Sequence, residues 1–398
     1  MMTLLSPICL LALSVPSQDL GTVSGLERGH EPDESEGSWA ADLAGDLLAD
    51  LLSALPWDWE GGLAIDGTLS WSDRGGRNRT RAHLRAAELI LNGDIGNVLE
   101  THVSVHATHD HVDLDHLTLG YTDLPGDGSV HFGRMPIRFG LQMHQHVHEL
   151  SSASRPRILG EYLGTTLTTS GVHYDSFLLD GPSKSLRLFA GAFGSMHSEH
   201  AGRGHDHSTG GQELEAVGLN ARLVGSGLPV GDGDLQVGAS WRTIPDYTLT
   251  VRGAGSATGL SNRTMGLDAE YSPTDAGWTL GLEYLQLSGD LGSDDDGGSG
   301  ILDLVSGDRS GWLLSYDRPL TERTSLGLIL SEFEHLDAEA DRETEVGAAW
   351  SWQAADFLRV RLAASQQSSA EDDVTRVMVQ LTGVIGHHDH DHGHDHRH

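Results

Sequence analysis

The chain has 398 residues with 25 Lys and Arg against 58 Asp and Glu, which gives a formal net charge of −33. This excess of negative charge repels nucleic acid and attracts cations, so we expect no nucleic-acid partner. The hydrophobic fraction is 38%, and no apolar run is long enough for a transmembrane helix. The only cysteine, Cys9, lies in the N-terminal apolar run and excludes both a disulfide framework and a thiolate metal centre.

The first 58 residues predict two segments that precede the main domain. Residues 1–17 contain an apolar run of the length found in signal peptides, although no Lys or Arg precedes it. An unprocessed apolar N-terminus is the alternative. Residues 18–58 predict an acidic linker and a short amphipathic helix that ends at Pro56. We expect this helix to be packed, and plugging of a pore mouth is the other option.

From residue 59 to residue 386 the sequence alternates between apolar and polar residues, which is the period of a β-strand. Val346, Ala348 and Trp350 show the pattern clearly. It predicts sixteen strands, with starts near residues 61, 82, 97, 112, 129, 171, 184, 212, 233, 263, 277, 310, 323, 343, 357 and 374. An even number of such strands is typical of bacterial outer-membrane barrels. The expected fold is therefore all-β, a transmembrane antiparallel β-barrel in the bacterial outer membrane, with lipid around it.

The connections favour this barrel over a soluble sandwich. Every second connection is short and rich in Pro, Gly, Asn and Asp, as in 123–128 and 180–183. Most of the others are longer and more polar, and these are 106–112, 141–170, 197–211, 246–262 and 289–309. With both termini in the periplasm, the long loops face outward from the cell. A loop of roughly 30 residues needs a function, so we expect the third long loop to fold into the pore.

The strand before this loop is predicted to continue to Gly140, with an apolar face that suits lipid and a cationic face that suits water. The apolar face is Met135, Ile137 and Phe139, and the other face is Arg134, Pro136 and Arg138. A pore constriction orders permeant ions between opposed charges. The charged residues that we predict to form it are Arg134, Arg138, Arg155 and Arg157, with Glu149 and Glu161 opposite them. Salt bridges that fix the loop are the alternative.

The 24 histidines are concentrated in or beside the long loops and in the C-terminal tail. The loop clusters are His106, His109, His111 and His116, then His144, His146 and His148, then His197, His200, His205 and His207. Residues 387–398 form a His/Asp-rich tail that carries His387, His388, His390, His392, His394, His396 and His398. On the third strand His102 and His106 share a face with Glu100, opposite Val103 and Val105, so we expect them to point into the lumen.

Imidazole and carboxylate ligands without a thiolate suit Zn²⁺, and also Cu²⁺ or Ni²⁺, better than Ca²⁺ or Mg²⁺. The His-x-His spacing predicts loose, exchangeable sites rather than a closed tetrahedral cage. All of these histidines are therefore candidate metal ligands. Polar loop filler or proton binding at low pH is the alternative. The aspartates between the tail histidines distinguish this segment from a purification tag.

The segment Gly133-Arg-Met-Pro-Ile-Arg-Phe-Gly140, followed by Arg155-Pro-Arg-Ile-Leu-Gly-Glu-Tyr-Leu-Gly164 and a strand from Gly171, resembles porins similar to the phosphate-selective porins O and P. The resemblance covers roughly 50 residues. It implies a sixteen-stranded outer-membrane channel with an in-folded third loop, often a homotrimer. The sequence departs from that group in having few Lys and Arg residues and no aromatic residue at the end of its last strand. Phosphate is therefore not the expected substrate.

The sequence predicts a passive outer-membrane porin that admits divalent metal cations, above all zinc, to the periplasm. Its histidine-rich loops and tail would capture the metal. One alternative is a general cation-preferring or small-solute porin, and another is a non-transporting metal-binding surface protein. No hydrolase, zinc-protease, Walker or dinucleotide motif occurs, so an enzyme is not expected.

Overall fold

The structure is a computed structural model that describes residues 58–95, 98–108, 112–143, 145, 150–163, 167–181, 183–198, 212–251, 255–294, 302–334, 342–369 and 373–386. The strands of its first half are β1 (Asp58–Arg74), β2 (Arg77–Ile95), β3 (Leu99–Ala107), β4 (Val112–Leu124), β5 (Gly128–Pro136), β6 (Leu167–Asp180), β7 (Ser185–Ser198) and β8 (Gln212–Val230). Those of its second half are β9 (Gly233–Val251), β10 (Gly255–Pro273), β11 (Thr279–Asp294), β12 (Leu302–Thr321), β13 (Thr324–Glu334), β14 (Arg342–Ala355), β15 (Leu358–Ser368) and β16 (Asp373–Gly386). One helix, α1 (Arg157–Leu163), lies between β5 and β6. Within the described ranges no helix is long and apolar enough to cross a membrane.

The sixteen strands form one closed antiparallel barrel in which every strand pairs with its neighbours in sequence. The barrel closes where β1 pairs with β16, from Gly62 opposite Gly386 to Arg74 opposite Val374. Closure leaves no strand edge unpaired, as a β-structure in lipid requires. The predicted all-β barrel of sixteen strands is confirmed. The expected signal peptide, linker, N-terminal helix and His/Asp-rich tail lie outside the described residues.

The two faces of the wall have the polarity expected of a barrel in a membrane. Along β14, Glu343 and Glu345 are buried inside, whereas Val346 and Trp352 are exposed on the outside. On β10 the outward Leu267 is 61% exposed, and its neighbour Asp268 is buried. A soluble protein buries its apolar residues. The reversed pattern, with an apolar outer belt on a closed barrel, places the protein in the bacterial outer membrane.

The third long loop folds into the barrel. Its apolar side chains and those of α1 share a buried cluster with inward residues of β7 and β9–β13. The cluster consists of Ile137, Phe139, Met143, Ile158, Leu159, Tyr162, Leu163, Phe193, Ile244, Tyr247, Leu260, Leu285, Leu287, Leu313, Ile329 and Phe333. The in-folded loop is therefore confirmed, and the apolar residues on the inner wall are explained by its docking.

This packing corrects the predicted apolar face of the strand before the loop. Strand β5 ends at Pro136, and Ile137 and Phe139 pack inside the barrel rather than facing lipid. Met135 is buried as well. Gly140 turns the chain with a φ of 62°. Alternation alone could not separate lipid from a docked loop, because both environments favour apolar side chains.

Polar groups of the wall also hold the loop. Ser240 and Glu283 accept hydrogen bonds from the backbone N–H groups of Gly140 (3.2 Å) and Leu141 (3.1 Å). Arg85 donates to the carbonyl oxygen of Ala153 at 2.5 Å, and Arg361 donates to that of Ser152 at 2.8 Å. The described part of the loop is therefore fastened to β2, β9, β11 and β15 around the lumen.

Candidate functional site

The histidines whose side chains are described all lie on one side of the lumen. We call these six residues the histidine wall: His83, His102, His106, His116, His131 and His173, on strands β2 to β6. Three of them lie opposite buried inward residues: His83 opposite Thr68, His106 opposite Glu88 and His116 opposite Ser104. The predicted inward orientation of His102 and His106 is confirmed, because they pair with Asn92 and Glu88 on the inner face of β2.

His102 and His116 form the centre of a chain of polar contacts on β2, β3 and β4. Nε2 of His102 lies 3.1 Å from Nδ1 of His116. The other ring nitrogens face oxygens: Nδ1 of His102 is 2.5 Å from Oδ1 of Asn92, and Nε2 of His116 is 3.4 Å from Oδ2 of Asp115. Asp115 also accepts a hydrogen bond of 3.2 Å from Thr168. Both imidazoles are buried, at 4% and 2% exposure.

Three members of the wall, His83, His131 and His173, were not anticipated from the sequence. His131 and His173 lie directly opposite each other on β5 and β6. Nδ1 of His131 is 3.4 Å from Oε1 of Glu100, and its Nε2 is 2.8 Å from the hydroxyl of Ser129. Both residues lie within strands rather than in the histidine-rich loops, so the loop clusters do not include them. The period of two in β5 and β6 is the signal that could have placed them on the inner face.

Glycines keep this part of the wall open. A Cβ on Gly120 would lie 2.8 Å from Nδ1 of His131, and a Cβ on Gly191 would lie 2.8 Å from Nδ1 of His173. Gly191 also lies beneath the buried side-chain amide of Asn220, which has no hydrogen-bond partner within the described structure. The rings of His131 and His173 therefore lie against glycine backbone, where a larger residue would collide with them.

Three of the six charged residues predicted at the constriction, Arg155, Arg157 and Glu161, make contacts that hold the loop in place. Arg155 donates to the carbonyl oxygens of Gln142 and Gln145 within the loop itself. Arg157 lies 3.4 Å from Glu161 on α1 and 2.9 Å from Oε1 of Glu343 on β14. These contacts are salt bridges and hydrogen bonds that fix the loop, which was the alternative expectation. A role in ordering permeant ions stays a prediction.

The two further arginines of the predicted constriction, Arg134 and Arg138, belong to different surroundings. The guanidinium of Arg138 lies over the ring of Phe189 at 5.7 Å, on the β7 side of the lumen. Arg134 pairs with Leu117, whose side chain is 45% exposed. Residues directly opposite in a sheet share a face. This register corrects the expected lumenal position of Arg134, which belongs to the outward row.

The structure describes no side chain for the remaining predicted site residues. His197 is within β7, although the structure describes only its backbone. The others are Glu149, His109, His111, His144, His146, His148, His200, His205, His207, His387, His388, His390, His392, His394, His396 and His398. Across the described ranges, no group of three or more His, Cys, Asp or Glu side chains is arranged to hold a metal ion. Metal binding by the loops and the tail therefore stays a prediction.

No protein-family model matches the chain, and no curated protein matches it in sequence. Solved structures do match. The outer membrane channel DcaP of Acinetobacter baumannii aligns with a TM-score of 0.56 at 13% identity, over 82% of this chain and 97% of that chain. An anion-selective porin from Comamonas acidovorans aligns with a TM-score of 0.55 at 10% identity, over 82% and 99%. These likenesses support a porin barrel and not the narrower phosphate-selective group. By its fold, the chain is a sixteen-stranded outer-membrane barrel of the porin type.

Proposed function

We propose that the protein is a passive outer-membrane porin that admits divalent metal cations, zinc above all, to the periplasm. The observation that carries this proposal is the histidine wall, because every histidine with a described side chain lies on β2–β6 and faces inward. Imidazole nitrogen is a preferred ligand of Zn²⁺, and also of Cu²⁺ and Ni²⁺. The metal would be loosely bound in transit, since an ion that passes must also leave.

Charge supports a cation as the permeant species. The chain carries a net charge of −33, which raises the local concentration of cations at the pore mouth. Two arginines that line the barrel are paired with carboxylates, Arg222 with Asp268 and Arg187 with Asp175. Paired guanidinium groups present less free positive charge to a passing ion than isolated ones do.

A general small-solute porin is the second candidate function. It is favoured by the same ion pairs, because opposed charges in a lumen order many kinds of polar solute. The discriminating property is metal preference, since such a pore would pass zinc no better than magnesium. Assembly as a homotrimer belongs to the porin proposal. A non-transporting metal-binding surface protein would instead show no open channel in a bilayer.

The proposal is tested with the purified full-length protein in liposomes that contain a zinc-sensitive dye. We expect zinc entry into these liposomes, and a slower entry when His102, His116 and His131 are together replaced by glutamine. A second variant lacks the histidines of the loops and tail and should capture zinc less well at low concentration. Potassium conductance of each preparation verifies that the channels are open. Equal zinc entry through all three proteins would remove the metal part of the proposal.

A further inference from the structure

The separation of the two central imidazoles is close to that of two ligands on one metal ion. Nε2 of His102 and Nδ1 of His116 are 3.1 Å apart, with ring centroids 5.1 Å apart and the rings tilted by 44°. Two imidazole nitrogens bound to a tetrahedral Zn²⁺, each at about 2.0–2.1 Å, lie about 3.3 Å from each other. An ion could therefore bind both nitrogens after a small movement of the rings.

The outer nitrogens of these rings are oriented as in metal-binding histidines. Nδ1 of His102 faces the side-chain oxygen of Asn92 at 2.5 Å, and Nε2 of His116 faces the carboxylate of Asp115 at 3.4 Å. An oxygen acceptor at each outer nitrogen favours an N–H there, which leaves a lone pair on each of the two facing nitrogens of neutral rings. Metal-binding histidines almost always donate their other N–H to a carboxylate or carbonyl in this manner.

Two lone pairs that face each other at 3.1 Å repel unless a cation lies between them. Either a proton or a metal ion can fill that position. Metal binding needs neutral imidazoles, so a bound divalent ion would replace the proton. Asp115 and Glu88, which accepts a hydrogen bond of 2.8 Å from Ser104 beside His116, supply negative charge for the second positive charge of the metal.

We propose that His102 and His116 together bind one divalent transition-metal ion on the lumenal wall, with Asn92 and Asp115 as positioning residues. The inference deepens the proposed function and rests on it for the identity of the metal. Two protein ligands leave coordination positions for water, which makes the ion exchangeable. A soft to borderline ion such as Zn²⁺ or Cu²⁺ suits two imidazoles, whereas Mg²⁺ does not.

The site is tested by thermal unfolding of the full-length protein in detergent, with ZnCl₂ or MgCl₂ added. A ligand that binds the folded state raises Tm with its concentration. Every protein compared carries the same loop and tail histidines, so zinc binding by them raises Tm equally in each and cancels in the comparison. We expect zinc to raise Tm of the wild type more than that of His116→Gln, and magnesium to affect the two equally.

Substitutions of Asp115 test its positioning role separately. Asp115→Asn should need about 10- to 100-fold more zinc for the same rise in Tm, the usual effect of losing a group that orients a ligand. Asp115→Glu should restore most of the affinity. Asp113→Asn, on the same strand but exposed, removes the same charge and should leave the zinc response unchanged. Because Asp115→Asn is nearly isosteric, it also serves if His116→Gln does not fold.

Two results would overturn the site. One is an equal zinc-dependent rise in Tm for the wild type and His116→Gln, and the other is an unchanged zinc response in Asp115→Asn. Zinc entry into liposomes is measured separately on the same wild-type protein. Zinc entry without the differential rise in Tm would remove the site and leave the channel proposal. The differential rise without zinc entry would keep the site and remove the channel proposal.

Discussion

Arg361 is the wall residue whose replacement most directly tests how the third loop is held. It lies on β15 and is fully buried. Its guanidinium donates to the backbone carbonyl oxygens of Ser152 and Leu150 in the loop, and its Nε donates to the hydroxyl of Ser351 at 3.0 Å. Arg361→Met keeps much of the side-chain volume and removes every donor. The two loop carbonyls then lose a charged partner inside the barrel.

The free energy with which Arg361 holds the loop can be estimated from these contacts. A hydrogen bond from a charged donor contributes about 1.5–3 kcal/mol, so the two bonds to the loop contribute about 3–6 kcal/mol together. Since about 1.4 kcal/mol corresponds to a tenfold change in an equilibrium, segment 150–155 should detach at least about 100-fold more often. Helix α1 keeps its apolar contacts with β9–β13, so the barrel itself should remain folded.

Single-channel recording and limited proteolysis measure this detachment. Arg361→Met should show larger fluctuations of the open-channel current and faster cleavage in segment 150–155. Arg342→Met is the matched control, because Arg342 pairs with Glu332 with its side chain 67% exposed. An exposed pair contributes about 0–1 kcal/mol, so this variant should behave as the wild type. Identical current noise and cleavage rates in both variants would refute the role assigned to Arg361.

Three further predictions concern the loop and the outer belt. Gly140→Ala should lower the free energy of unfolding by about 3 kcal/mol in denaturant titrations, because φ is 62° and a Cβ would meet Glu283 at 2.1 Å. Gly67→Ala, with open space around the Cβ, is its control, and equal losses would contradict the prediction. Burial raises the pKa of the Tyr162 phenol above its usual 10. The stability that the neutral phenol contributes is therefore present below pH 10 and falls at higher pH, and Tyr162→Phe should flatten this fall in unfolding titrations; an equally steep fall would contradict it. Leu267→Arg should lower the free energy of unfolding in lipid vesicles by about 2–4 kcal/mol if residue 267 lies near the bilayer centre. An unchanged free energy of unfolding would count against a lipid-facing position for Leu267.

Strand number and pairing order were predictable because alternation and turn chemistry are local signals. Predicted and observed starts agree at residues 112, 212 and 233. The strands β2, β10 and β12 begin earlier than predicted, at Arg77, Gly255 and Leu302. The first residues of β2, Arg77-Asn-Arg-Thr80, are polar on both faces. A strand that continues beyond the lipid needs no apolar face, so the hydrophobic pattern cannot reveal its end.

The candidate site was only partly visible in the sequence. His102 and His106 were assigned to the lumen because Val103 and Val105 define the opposite face. The contact between His102 and His116 depends on the register of β3 against β4, which shifts by a bulge between Ser104 and Val105. A bulge changes which residues lie together without changing the composition of either strand. For this reason the pairing of the two imidazoles required the structure.

The reversal potential of a planar bilayer that contains the full-length protein, with ZnCl₂ on one side and KCl on the other, tests the central claim most directly. We expect an open channel whose reversal potential reports cation selectivity, with zinc carrying current into the potassium side. A reversal potential set by chloride, or a current to which zinc makes no contribution, would contradict it.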